Sequence, residues 1–190
     1  ASSVFLKILL ESAAALSVGS PFDTPPPFMG PLAHASFPEK VLKAREELRT
    51  AGGKVLLEGR AGKPGTGFLS PSIIDVTGIR DVPDEEVFGP LLQVHRVDSL
   101  EAALESANRT RFGLAAGLLS DSRERYQFAW PRLRAGIINW NTPLPGASSA
   151  APFGGIGDSG NHRPSAYLAA DYCSYPVASM EKPACAGGPS

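Results

Sequence analysis

Between residues 91 and 140, segments of strand character alternate with segments of helical character, and this alternation constrains the fold more than any other feature of the chain. Residues 91–97 read as a strand. Asp98 is placed to cap a helix, with Glu101 three residues later, and Leu100, Ala103, Leu104 and Ala107 share one helical face. Residues 115–119 read as a second strand. Asp121 or Ser122 caps a second helix running towards Arg134, which Pro131 should kink or end early. Residues 136–140 form a third strand. Strand, helix, strand, helix, strand in this order implies parallel pairing through right-handed crossovers, and so an α/β domain.

The segments before this region are shorter and more varied. Residues 4–16 are apolar and imitate a secretory leader, but Lys7 and Glu11 interrupt them and no basic segment comes first. Leu6, Leu9, Leu10 and Ala13 fall at helical spacing, so an amphipathic helix is expected, with the chain starting inside it as a fragment would. Residues 19–31 are a Pro- and Gly-rich loop. Ser36 and Glu39 have capping-box spacing, with Pro38 in the first turn of a helix. Val41, Leu42, Ala44 and Leu48 supply its apolar side, and Gly52-Gly53 ends it. A short strand at 54–57, a turn at 59–67 and an extended stretch at 68–76 follow.

Composition narrows the function. With 190 residues and 43% hydrophobic content the chain can bury a core of its own. A formal charge of −1 draws it neither to nucleic acid nor to an acidic membrane face, and no apolar run is long enough to span a bilayer. Two cysteines, Cys173 and Cys185, do not make a disulfide framework, which suggests a reducing, cytoplasmic setting. The three histidines lack metal-ligand spacing, so no metal site is expected.

Two motifs carry candidate chemistry. Residues 155–160 spell Gly-Ile-Gly-Asp-Ser-Gly, matching the dinucleotide fingerprint GxGxxG. A working fingerprint follows a buried strand and opens a helix; here neither neighbour fits, so a glycine-rich pocket wall is the better reading. Residues 84–90, Asp-Glu-Glu-Val-Phe-Gly-Pro, stand just before the strand at Leu91. Their carboxylates could simply be solvated. A carboxylate at a strand mouth can also accept both hydroxyls of a ribose, and an aromatic two residues on projects to the same side. The 141–161 segment is rich in Gly, Pro and Ser and too long for a plain connector. Pro164 starts a short helix to Ala170. Residues 172–179 alternate like a strand, and Pro176 restricts that strand to an edge or to a sheet completed by another chain.

Taken together these residues resemble a known family. Glu85 to Pro90 is similar to the EEhFGP motif of the aldehyde dehydrogenase superfamily. Gly67 to Pro71, Ala107-Asn108 with Phe112 to Ala116, Arg134 to Asn141, and Pro152 to Gly155 with Ser159-Gly160 resemble further motifs of it, in order. The resemblance covers residues 4–181. Residues 146–151, 160–166 and 169–173 resemble the branch acting on N-succinylglutamate semialdehyde in arginine breakdown. Pro131 departs from the family's plain helix.

The resemblance implies the catalytic-domain fold of that family, incomplete here. Residues 1–171 would be the C-terminal part of the catalytic domain, 172–181 an oligomerisation strand paired with a neighbouring subunit, and 182–190 a tail. It implies an NAD-dependent oxidation: a thiolate attacks the aldehyde, hydride leaves to NAD, and water hydrolyses the thioester. Glu86 would bind the nicotinamide ribose and Phe88 would pack near the ring. Gly146, Ala147 and Ser148 would hold a substrate carboxylate through N–H groups and hydroxyls, with Phe153 lining the aldehyde pocket. The family places its nucleophilic cysteine before residue 4, so neither Cys173 nor Cys185 is expected to replace it and the chain alone is expected to be inactive. A silent assembly domain, or a branch acting on another semialdehyde, are the alternatives.

Overall fold

The computed structural model describes residues 2–144, 146, 148–161 and 164–184. The chain divides into two units, residues 1–103 and residues 104–190.

The first unit opens with α1 (Ser2–Ala14). Its expected apolar face is the covered one: Leu6, Leu9, Leu10 and Ala13 are half-buried, while Val4, Phe5 and Ile8 are exposed. α2 (Phe37–Thr50) carries Pro38 in its first turn and buries Val41 and Leu48. Its expected capping box is not formed: the Ser36 side chain makes no cap hydrogen bond. The reason is local competition, because the Ser36 hydroxyl lies 2.9 Å from His34 Nδ1 instead. The helix ends at Gly52, whose φ of +109° suits glycine, and the Gly53 N–H donates to the Leu48 carbonyl at 2.9 Å.

The strands β1 (Lys54–Leu57), β2 (Ser72–Asp75) and β3 (Leu91–Val94) follow. They form one sheet in the order β1-β2-β3, with β1 antiparallel and β3 parallel to the central β2. Being central, β2 is covered on both faces: Ser72, Ile73 and Ile74 are all buried. Ile74 packs with Leu48 of α2 and with Val76, and Val55, Ile79 and Leu91 close around them. Ser72 is 1% exposed. Its hydroxyl accepts the Gly59 N–H at 3.0 Å, which satisfies both buried groups. A β-carbon at Gly59 would collide with that same hydroxyl.

At the end of β2, Asp75 accepts from the Thr77 N–H at 3.0 Å and from Arg96 Nε at 2.9 Å. Burial pushes its carboxyl upward, but the Thr77 hydroxyl and N–H and the Arg96 charge outweigh burial and hold the pKa below the usual carboxylate value. A depressed folded-state pKa stabilises the fold above the unfolded-state value of about 4, and that contribution fades as pH falls through the folded value. Urea unfolding at about pH 5 and about pH 3 is therefore expected to show an acid-side loss of stability that Asp75→Asn reduces. An equal acid loss in the variant would show that Asp75 is not its source.

α3 (Leu100–Asn108) begins in the first unit and ends in the second. Its first turn is capped by Ser99, whose hydroxyl accepts the Ala102 N–H at 3.1 Å, one residue beyond the expected Asp98. The second unit contains β4 (Ala115–Leu118), α4 (Arg123–Ala129) and β5 (Ile137–Trp140). β4 and β5 are parallel, pairing Ala115 with Ile137 through Leu118 with Trp140. Ser122 caps α4 by accepting the Arg125 N–H at 3.2 Å. At Pro131 the chain tightens into a 3-10 turn over Trp130–Arg132, the early ending expected of a residue without an N–H.

One expectation needs correction, and another is not met within the single chain. The three strands between residues 91 and 140 do not form one ladder: β3 belongs to the three-stranded sheet and β4 and β5 to a two-stranded one. Only the β4–α4–β5 crossover joins parallel neighbours, while β3 takes its parallel partner, β2, from the preceding segment. Nor are residues 172–179 a strand here. Tyr172 closes α5 (Ala169–Tyr172), and residues 173–184 enter no ladder. A strand is defined by its partner, and a single chain offers this edge none. Among the described residues, no helix is long and apolar enough to cross a membrane.

Candidate functional site

In the first unit the Glu86–Pro90 segment is irregular but firmly anchored. The Val87 carbonyl accepts from the Gly89 N–H and the Gly89 carbonyl from the Leu91 N–H, both at 2.8 Å, giving two successive tight turns. The Pro90 carbonyl accepts the Ser72 N–H at 2.8 Å, tying the turn to β2. A β-carbon at Gly89 would run into Val41 of α2, so glycine is needed for this close approach. Held at Gly89 and Pro90, the segment presents Glu86 and Phe88 together.

Both line a groove of about 270 Å³ with Phe37, Lys40, Val41, Ala44 and Val87. Glu86 is exposed, and the Phe88 ring is 74% exposed. Lys40 sits on the same rim, its Nζ 5.1 Å from the Phe37 ring centroid. The neighbouring Glu85 lines a different cavity, of about 170 Å³, with Asp81, Glu47 and Gln93. Residues 85 and 86 thus line different cavities, and Val87 borders both.

In the second unit the chain leaves β5 through Asn141, a non-glycine residue at φ +51°. Its amide brackets one residue: Oδ1 accepts the Ser120 N–H at 2.9 Å, and Nδ2 donates to the Ser120 carbonyl at 3.0 Å. Trp140 Nε1 donates to the same carbonyl at 2.8 Å. The Trp140 ring stacks on Tyr126 of α4, with centroids 5.1 Å apart and planes 9° apart. Asn108 makes a second bracket, donating to the Arg132 carbonyl at 2.7 Å and accepting the Arg134 N–H at 2.8 Å. β5 is thereby fixed at its entry and its exit. Reading the sequence alone matched Asn108 and Asn141 to motifs but missed these bonds.

At the C-terminal ends of the parallel β4 and β5 lies a pocket of about 460 Å³, lined by Gly117, Leu118, Leu119 and Asn141 to Leu144. Ligands favour this end of parallel strands. Among the described residues the lining ends at Leu144, and Gly146, Ser148 and Phe153 are not part of it. Gly146 turns at φ +113°. The Ser148 hydroxyl accepts the Ala150 N–H at 3.2 Å, a local turn that occupies one of its lone pairs. Ala147 lies outside the described residues. Phe153 is 36% exposed, and its carbonyl accepts from the Ser165 N–H at 2.6 Å and hydroxyl at 3.0 Å.

The GxGxxG stretch is a packing element. It contains a 3-10 turn, Gly157–Ser159, and no strand leads into it. The Ile156 N–H donates to the Gly113 carbonyl at 3.0 Å and the Asp158 N–H to the Arg111 carbonyl at 2.9 Å. The Ser159 hydroxyl accepts the Gly113 N–H at 3.1 Å. The N–H groups of Ile156, Asp158, Ser159 and Gly160 are thus committed to backbone carbonyls and are not offered to a pyrophosphate. Cys173 is exposed just beyond α5; Cys185 lies outside the described residues.

The family model described as the aldehyde dehydrogenase family matches residues 1–176. The chain belongs to the aldehyde dehydrogenase family. It is 55% identical over 177 residues to the N-succinylglutamate 5-semialdehyde dehydrogenase of Hahella chejuensis, covering 93% of this chain and 36% of that protein. The chain therefore spans about a third of the length of this curated relative. Among solved structures, succinate-semialdehyde dehydrogenase from Burkholderia pseudomallei matches with a TM-score of 0.79 at 31% identity, over 90% of this chain and 35% of that one. The 1-pyrroline-5-carboxylate dehydrogenase from Thermus with bound NAD matches with a TM-score of 0.75 at 33% identity, over 86% of this chain and 31% of that one. In this aldehyde dehydrogenase family member the parallel strands, the anchored Glu86–Pro90 turn and the glycine wall belong to an α/β fold of that type.

Proposed function

We propose that this chain is the C-terminal portion of an NAD-dependent aldehyde dehydrogenase that oxidises N-succinyl-L-glutamate 5-semialdehyde to N-succinylglutamate, a step of arginine breakdown. The 55% identity to a protein of that name, across 93% of the chain, carries the reading.

Glu86 and Phe88 suit the nicotinamide end of NAD. The carboxylate is exposed and accepts hydrogen bonds only, which matches a pair of ribose hydroxyls. The bare Phe88 ring two residues on offers a flat apolar surface beside the same groove. NAD, when bound, supplies the hydride acceptor. Gly146, Ala147 and Ser148 recognise the substrate's carboxylate through backbone N–H groups and the hydroxyl, and Phe153 shields the aldehyde end from water. The attacking thiol is supplied by the upstream part of the enzyme, where the resemblance places the family's nucleophilic cysteine, and not by the exposed Cys173 or by Cys185. Residues 172–181 pair with a second copy: Tyr175, Val177 and Met180 are 83%, 76% and 102% exposed, an apolar series that a neighbouring sheet would cover. The modest cysteine content suits a reducing cytoplasm.

The test is NADH formation from NAD and N-succinylglutamate semialdehyde, with succinate semialdehyde as competitor substrate. The full-length enzyme is expected to prefer the succinylated substrate, and the 190-residue chain alone to give no turnover. Glu86→Gln should lower kcat/KM for NAD about 30-fold, equal to the ~2 kcal/mol of a charge-assisted hydrogen bond, with little change in thermal stability. Preference for succinate semialdehyde would move the chain to another branch, and turnover by the chain alone would refute an external nucleophile.

A further inference from the structure

We propose that Asn141 is a positioning residue that sets the substrate-carboxylate loop, acting through the Ser120 peptide rather than by touching substrate. The proposal rests on the reading that residues 146–148 hold that carboxylate.

Asn141 holds a left-handed conformation at φ +51°, a region that asparagine tolerates better than most side chains. It is the first residue after β5, so its φ directs the chain that reaches Gly146 five residues later. Both polar ends of its amide are used on one residue, Ser120. Ser120 in turn stands between β4 and α4, its hydroxyl accepting the Ser122 N–H at 3.2 Å. With the Trp140 indole on the same carbonyl, both lone pairs of that oxygen are occupied. The bracket therefore joins the exit of β5 to the β4–α4 junction, and its Asn141 lines the 460 Å³ pocket. Slack at this exit is passed on to the chain leading to Gly146 and Ser148, and sub-ångström placement of a binding group is what substrate affinity depends on.

Two substitutions separate backbone shape from bracket. Asn141→Gly permits the same φ but removes both hydrogen bonds. Asn141→Asp keeps an acceptor for the Ser120 N–H but sets a carboxylate oxygen against the Ser120 carbonyl. Kinetics are read in the full-length enzyme with N-succinylglutamate semialdehyde and with propanal, which has no carboxylate. Both variants are expected to raise KM for the succinylated substrate about tenfold, with kcat and the KM for propanal little changed. Ser148→Ala is measured alongside and is expected to raise the same KM. If Ser148→Ala raises it and neither Asn141 variant does, the positioning role is overturned while the loop reading stands. If Ser148→Ala and Gly146→Ala both leave it unchanged, the loop reading fails and the proposal fails with it. Equal losses on both aldehydes with a lowered melting temperature would reduce Asn141 to a structural residue and also overturn the proposal.

Discussion

Replacing Gly136 with alanine should destabilise the second unit by about 3 kcal/mol or more, lowering the melting temperature by roughly 10 °C. The space an alanine methyl would need is filled by the Gly154 carbonyl, with the Gly155 α-carbon 3.2 Å away. These are backbone atoms, which cannot rotate aside as a flexible side chain can. The backbone is also fixed from the other side. The Gly136 N–H and the Ile156 N–H both donate to the Gly113 carbonyl at 3.0 Å, so three segments meet on one oxygen. Relief would have to come from pulling the glycine wall off the start of β5. Gly30→Ala is the control, because a β-carbon there meets nothing within 4 Å, and it should shift stability by less than about 0.5 kcal/mol. Thermal unfolding and amide exchange of β4 and β5 provide the measurement. A Gly136→Ala variant as stable as Gly30→Ala would mean that this approach is looser than described.

Ile74→Ala should cost the first unit about 4 kcal/mol. Ile74 is 0% exposed, at the centre of the central strand, and packs with Leu48, Val76, Val55, Ile79 and Leu91. Truncation removes three carbons from water-excluded contact and leaves a void. Little can collapse into that void, because β2 is hydrogen-bonded on both sides. Ile74→Val should cost only about 1 kcal/mol, since it deletes one methylene from the same place. The ratio between the two is the informative quantity. A small loss for Ile74→Ala in urea unfolding would indicate that the sheet and α2 close over the gap.

How much of this was legible in the sequence depended on range. β1 was readable to the residue, and α2, β4 and β5 to within about a residue at their ends, because apolar periodicity and Gly or Pro punctuation are local signals. Caps were less secure: Ser99 and Asp98 are both good candidates, and only the placement of the backbone selects Ser99. Ser36 failed because His34, two residues before it, claims its hydroxyl. Strand pairing was misjudged in one place, where adjacency along the chain suggested a β3–β4 ladder while β3 pairs with β2. The candidate site divides the same way. The Glu86–Pro90 turn could be singled out from its residue types, whereas the bond from Asn141 to Ser120 spans 21 positions and depends on tertiary placement. The segment at 172–179 alternates like a strand but enters no ladder within the single chain, and local periodicity does not decide that.

Gly59 and Ser72 have a consequence for descent. A larger residue at 59 would meet the Ser72 hydroxyl and, 2.6 Å away, the Ser70 carbonyl. A side chain without an acceptor at 72 would strand the Gly59 N–H in the interior. Position 59 is held to glycine by the Ser70 backbone as well as by Ser72, while position 72 is confined to residues that keep an acceptor there. Descent is therefore free to vary 72 only within hydroxyl-bearing residues and 59 hardly at all.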